Sequence, residues 1–134
     1  MDRIVLDTNI FVSALLQPLG PPAEVLLLVL SGAVQLCMSG EVYTEYEAVI
    51  RRPRFRRSPE EIDAALQMIR EKALWFKSAA KVRACADPDD DMFLECAIAA
   101  RANYIVTGNV RHFPRVWRKT RIVTAREFLD TLAG

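Results

Sequence analysis

A single histidine, His112, stands among 134 residues. One imidazole with no second His or Cys at ligand spacing argues against zinc, and it leaves little basis for a Ser-His-Asp triad. Three cysteines (Cys37, Cys85 and Cys96) form no C-x-x-C pair and sit beside apolar residues. They read as small buried hydrophobes of a reducing compartment. The chain has no G-x-x-x-x-G-K-[ST], no G-x-G-x-x-G and no G-x-S-x-G, which removes the common nucleotide-binding and acyl-transfer readings. Its longest apolar run, Val25 to Leu30, is far too short to span a bilayer. A first strand that begins within three residues of the start leaves no room there for a signal peptide, so the expected location is cytoplasmic with no membrane association. Nor is there an excess of one charge: 18 Lys and Arg stand against 17 Asp and Glu. Any contact with nucleic acid must come from local clusters.

What is present is an ordinary globular composition, 51% hydrophobic and 26% charged, with no repeat, low-complexity tract or linker. One domain over residues 1–134 is expected. Ile4-Val5-Leu6 is a run of bulky apolar residues, the pattern of a central parallel strand buried on both faces. Further strands are expected at Val34–Met38, Tyr104–Thr107 and Ile122–Val123, with a weak one near Lys81-Val82. Helical patterns lie between them. Residues 10–16 and 23–30 are separated by a Pro/Gly loop. Ser39 heads a helix running toward Pro53. Ser58-Pro59-Glu60-Glu61 is a capping box with proline at the first helical position, and the face of the helix it starts carries Ile62, Leu66, Ile69, Ala73 and Phe76. Asp87 to Asp91 opens a helix whose face is Phe93, Leu94, Ala97, Ile98 and Ala102. Thr124 to Glu127 is a second capping box. Strands alternating with helices specify an α/β fold, a central parallel sheet flanked by helices on both faces.

Polar residues interrupt the apolar pattern where such a sheet gathers its ligands, at the carboxyl ends of its strands. Asp7 ends the first strand; it is either a cap for the next helix or a ligand-bearing carboxylate. Asp89, Asp90 and Asp91 are adjacent carboxylates at a helix start, where the helix offers roughly half a positive charge. That suits a solvated cap, or a divalent cation that offsets the remaining repulsion. Glu45 lies mid-helix and Asn109 just past the Tyr104–Thr107 strand. An oxygen-only donor set of this kind suits Mg²⁺ or Mn²⁺.

Asp7-Thr8-Asn9, Glu45, the Asp-Pro-Asp-Asp-Asp run and Val106-Thr107-Gly108-Asn109 together resemble a PIN domain, and in particular the VapC-like ribonuclease components of toxin–antitoxin systems. The likeness covers essentially the whole chain. It implies a parallel α/β sheet and a Mg²⁺/Mn²⁺-dependent site hydrolysing RNA phosphodiesters. By this resemblance Asp7, Glu45 and Asp91 occupy the catalytic, metal-holding positions. Asp91 is matched by the Asp-x-x-Leu-x-x-Ala-x-x-Ala helix that it opens, with Asp89 or Asp90 as substitutes. Asn109 stands where the family carries a fourth acid, which gives the site one negative charge fewer. Thr8, Asn9 and Thr107 would align the carboxylates. The resemblance further implies a cognate antitoxin as partner and a homodimer.

Residues 51–57 and 111–121 hold ten of the 18 basic residues and interleave Phe55, Phe113 and Trp117. Arg51, Arg52, Arg54, Arg111, Arg115, Arg118 and Lys119 are candidates for an RNA path, against the alternative of ordinary solvated loops. Two other readings compete with a nuclease. A PIN-like RNA-binding or scaffolding module without catalysis is kept open by Asn109. A phosphoacceptor receiver domain needs an acidic pair after the first strand and a lysine closing the last, and neither is present.

Overall fold

The computed structural model describes residues 1–133. Six strands form one sheet in the order β3-β2-β1-β4-β6-β5. They are β1 (Arg3–Leu6), β2 (Gln35–Met38), β3 (Leu74–Trp75), β4 (Tyr104–Val106), β5 (Val116–Trp117) and β6 (Thr120–Val123). All pairings are parallel except the β5–β6 hairpin at one edge. Ile4, Val5 and Leu6 of β1 have no exposed surface. Successive side chains of a strand point to opposite faces, so a fully buried run means that both faces of the sheet are covered.

The cover comes from six helices: α1 (Thr8–Leu16), α2 (Pro21–Leu30), α3 (Gly40–Ile50), α4 (Pro59–Lys72), α5 (Asp91–Ala100) and α6 (Ala125–Ala133). Their starts follow the local chemistry. Ser39 Oγ accepts from the Val42 amide to cap α3. Ser58 and Glu61 exchange both bonds of a capping box at α4, and Thr124 and Glu127 do the same at α6. Proline opens α2 and α4. No single helix among the described residues is long and apolar enough to cross a membrane.

Three expectations are corrected. The α4 helix does not reach Phe76; it stops at Lys72, and the chain turns into the edge strand β3, with the Phe76 amide bonded to the Met38 carbonyl. The apolar series Ile62-Leu66-Ile69 continues past the helix because Ala73 and Phe76 meet the same core from an extended chain. Lys81-Val82 forms no strand; there the Val82 amide donates to Glu95 of α5. The basic segment 111–121, weighed above as an RNA path or a solvated loop, is not one loop, since a short 3₁₀ turn (Val110–His112) runs into it and it contains the outer strand β5. Of the cysteines, Cys37 and Cys96 are buried and Cys85 is half-buried; all three are free thiols.

Candidate active site

The carboxyl ends of β1 and β4 lie side by side, paired through Leu6 and Val106. The Asp7 amide extends that ladder by one bond to the Val106 carbonyl, 2.9 Å. Asp7 occupies the N-cap position of α1, yet its side chain makes no capping hydrogen bond. Its Oδ2 instead accepts from the Thr107 hydroxyl at 2.7 Å, and Thr107 Oγ1 accepts from the Asn109 amide at 3.0 Å. The carboxylate is therefore held from the neighbouring strand end. Asp7 is only 6% exposed. Burial raises its pKa, opposed by the Thr107 hydroxyl, by the nearby amides of Asn9 and Thr8, and by the charge of His112.

Beside Asp7, Thr8 Oγ1 is buried and has no hydrogen-bond partner. Buried hydroxyls are nearly always paired, so an orphan next to a buried carboxylate marks a place where a ligand or its water completes the shell.

The acidic run forms a 3₁₀ turn, Pro88–Asp90, leading into α5. That turn sends adjacent carboxylates in different directions. Asp91 is buried, and its Oδ1 accepts from the amides of Cys85 (2.8 Å) and Ala84 (3.1 Å). Burial acts to raise its pKa, but those two amides, the Cys85 thiol and Arg83 together hold it below the usual carboxylate range. Asp90 is the opposite case. Its pKa is pushed up to about 6 by burial and then by the charges of Asp7 and Asp87, with His112 opposing and Asp89 adding to the rise. His112 Nδ1 lies 3.9 Å from Asp90 Oδ2. Asp90 thus feels the charge of Asp7, while Asp91 is bonded to the backbone amides of residues 84 and 85. Asp89 is exposed. The Asp87 side chain caps the turn by accepting from the Asp89 amide.

Glu45 is half-buried on α3 and lines a cleft of about 540 Å³ with Glu41, Thr44, Ala48 and Met92, the last on the first turn of α5. The α3 helix is fixed to the site strand by Tyr46, whose hydroxyl donates to the Leu6 carbonyl at 2.6 Å while its ring stacks on Phe11 with centroids 4.5 Å apart. Sequence reasoning passed over Tyr46, although a tyrosine beside a candidate acid on a buried helix face was a usable signal. His112 was weighed as a zinc ligand and a triad member and set aside; its position three residues past Asn109 was the clue to its place here. Asn9 and Asn109 are exposed at the rim.

The candidate RNA-binding residues divide. Arg51 is engaged with Asp63 (2.7 Å) and Glu47 (3.5 Å). Arg52 and Arg54 are exposed, Arg54 lying over the Phe55 ring. Arg111 and Arg115 line a cleft of about 380 Å³ with Val110, Phe113, Ile122 and Glu127, just beyond the carboxyl end of β4. Phe113 is a core residue packed edge-on against Phe93, so it is not free to stack on a base. Arg118 and Lys119 lie at the tip of the β5–β6 hairpin, before β6 begins, and so at the end of the sheet away from Asp7.

No group of three or more His, Cys, Asp or Glu side chains among the described residues is already gathered at metal-ligating geometry. The donor set still suits a hard cation: two carboxylates that repel each other, an orphaned hydroxyl and, at the rim, the amide of Asn109.

A parallel sheet with a buried acid at the end of its first strand, a second at the start of the helix before its fourth strand, and Thr107 and Asn109 just past that fourth strand defines a class of small α/β domains. The model of the PIN domain family matches residues 3–111, and the chain belongs to that family. An uncharacterized protein of Methanocaldococcus jannaschii is 26% identical over 110 residues, 80% of this chain and 70% of that protein. The crystal structure of VapBC2 from Rickettsia felis, bound to a DNA fragment from the promoter, has a similar fold: TM-score 0.61 at 17% identity, over 90% of this chain and 96% of that one.

Proposed function

We propose that this PIN domain is a Mg²⁺- or Mn²⁺-dependent ribonuclease and the toxin half of a toxin–antitoxin pair. The observation that carries the reading is the buried Asp7 carboxylate at the end of β1, held by the Thr107 hydroxyl at 2.7 Å from the end of β4, with the unpartnered Thr8 hydroxyl beside it. Burial and then the charge of Asp7 raise the pKa of Asp90, which fits acids that serve a bound cation. Membership of the PIN family and a fold shared with VapBC2 support the toxin assignment.

In this reading Asp7 and Asp90 would hold the metal, with Glu45, which lines the cleft between α3 and the first turn of α5, as a further carboxylate. Asp91, the third acid by sequence, would join them, and its bonds to the amides of residues 84–85 also fix the turn carrying Asp90. When bound, the cation supplies Lewis acidity, lowering the pKa of a water and screening phosphate charge. The protein does the rest. Thr107 fixes the rotamer of Asp7, and Asn109 fixes the lone-pair direction of Thr107. Thr8 Oγ1 offers an unfilled hydrogen bond to a bound water. Arg111 and Arg115, flanking the cleft beside β4, are the cations placed to receive the RNA backbone, and His112 brings a third donor to the rim. Antitoxin binding and a homodimer belong to the same proposal.

The test compares wild type with Asp7→Ala and Asp90→Asn on structured and unstructured RNAs, with Mn²⁺ and with EDTA. Cleavage is expected from wild type alone and only with metal. Cutting that survives EDTA, or both substitutions, would refute the mechanism. Asn109 in place of a fourth acid favours one second reading, a non-catalytic RNA-binding module, which predicts metal-independent binding of RNA without cleavage by the wild type.

A further inference from the structure

At the opposite end of the sheet lies a groove of about 700 Å³, the most voluminous of the clefts described here. Its walls are the last turn of α5 (Ala97, Ile98, Arg101), the residues entering β4, and the β5–β6 hairpin (Trp117, Arg118, Lys119, Thr120). The α5 helix separates it from the acidic cluster by about 15 Å, ten residues at a rise of ~1.5 Å each. The floor is apolar. The rim carries Arg101, Arg118 and Lys119, and no carboxylate lines it. None of the three cations forms an ion pair among the described residues.

Backbone geometry singles out two of these arginines. Arg101 and Arg118 have φ of 52° and 57°, in the left-handed region. Arg101 ends α5 at the position where glycine or asparagine is the usual choice, because a Cβ there crowds the backbone. Of the three non-glycine residues with positive φ among the described residues, Arg56, Arg101 and Arg118, two lie on this one groove, where glycine would carry no strain. The groove is rigidly framed: Thr120 Oγ1 donates to the Ala102 carbonyl at 2.7 Å, and Asn103 exchanges hydrogen bonds with the Arg3 backbone.

We infer that this groove binds a short acidic peptide segment of a partner protein, with one apolar side chain seated on Ala97, Ile98 and Trp117 and flanking carboxylates on Arg101, Arg118 and Lys119. Charge complementarity selects an anion, and the apolar floor selects one with a side chain to bury. The geometry disfavours stacking by a nucleobase. One face of Trp117 is already covered by the Arg118 guanidinium, 5.7 Å from the ring centroid. The indole N–H is buried without an acceptor. The site is independent of the nuclease reading, which concerns the other end of the sheet.

The experiment uses the whole chain carrying Trp75→Phe, so that Trp117 is the sole tryptophan fluorophore. Three probes are titrated: a peptide of glutamates around a central leucine, its lysine counterpart, and a uridine oligonucleotide. The acidic peptide is expected to shift Trp117 emission and to bind well above the other two. Arg101→Gly with Arg118→Gly should weaken it about tenfold, the sum of two modest charge contacts. Because glycine relieves both strained positions, the same variant should melt at or above the wild-type temperature, so lost binding is not lost folding. Equal affinity for the lysine peptide, binding unchanged in the double glycine variant, or preferential binding of the oligonucleotide would each overturn the inference; the last would assign the groove to nucleic acid.

Discussion

Replacing Asp90 by Asn should make the metal-free protein more stable, and only above mildly acidic pH. The rise in the Asp90 pKa from an ordinary 3.8 to about 6 means that the folded protein holds this proton more tightly than the unfolded chain does. Where the carboxyl is protonated in both states it contributes no penalty. As pH climbs from about 4 to about 6, the unfolded chain releases the proton first and the folded state loses ground; above about 6 the loss is complete. At ~1.4 kcal/mol per pH unit the ceiling is about 3 kcal/mol. The side chain keeps 21% of its surface in water, so screening reduces this to roughly 1–2 kcal/mol. Asn has the same shape and no charge. Urea denaturation of both proteins in EDTA should give matching stabilities near pH 4 and an advantage of about 1–2 kcal/mol for Asp90→Asn near pH 7.5. Adding Mn²⁺ should then stabilise the wild type more than the variant and close the gap. A variant no more stable than wild type at neutral pH, or an advantage that does not change with pH, would refute the reasoning.

The neighbouring carboxylate should behave in the opposite sense. Asp91→Ala strands the amides of Ala84 and Cys85 and is expected to lose about 2–3 kcal/mol by the same denaturation assay, the scale of hydrogen bonds to a charged acceptor. Thr107→Val removes the only side-chain donor to Asp7 Oδ2 among the described residues; a loss of about 1–3 kcal/mol and a fall in kcat larger than any change in KM should appear in an RNA-cleavage assay. Tyr46→Phe keeps the stack on Phe11 and deletes the bond to the Leu6 carbonyl, so a melt should show a loss of about 1 kcal/mol. Arg51→Ala should leave RNA affinity unchanged in a filter-binding assay, because its guanidinium is occupied by Asp63 and Glu47.

The parallel sheet, the capped helices and the family were legible because each rests on local pattern: the Ile4–Leu6 run, the Ser58 and Thr124 boxes, the Asp-x-x-Leu helix. What was hidden depends on the path of distant chain. Three consecutive aspartates look alike in sequence. Only the 3₁₀ turn at Pro88–Asp90 and the return of residues 84–85 decide that Asp91 is tied to backbone amides while Asp90 feels the charge of Asp7. Phe113 looked available for stacking because its neighbours are basic, but its contact is with Phe93, twenty residues earlier. The basic run 111–121 was read as one surface, and the β5–β6 hairpin carries its two halves to opposite ends of the sheet. Arg101 raised no flag, since the left-handed turn that exposes its purpose is a property of the folded backbone.

The Asp7–Thr107 hydrogen bond joins residues 100 positions apart, with Asp7 and Glu45 on one side of the irregular stretch 77–86 and Asp90 and Thr107 on the other. Neither half of the chain owns the site. Cutting in the exposed residues around Lys81 would leave two fragments, each holding part of the acid cluster and each lacking the strand that completes the sheet. On the proposed function, nuclease activity from such fragments would report their association, since neither fragment carries the whole site.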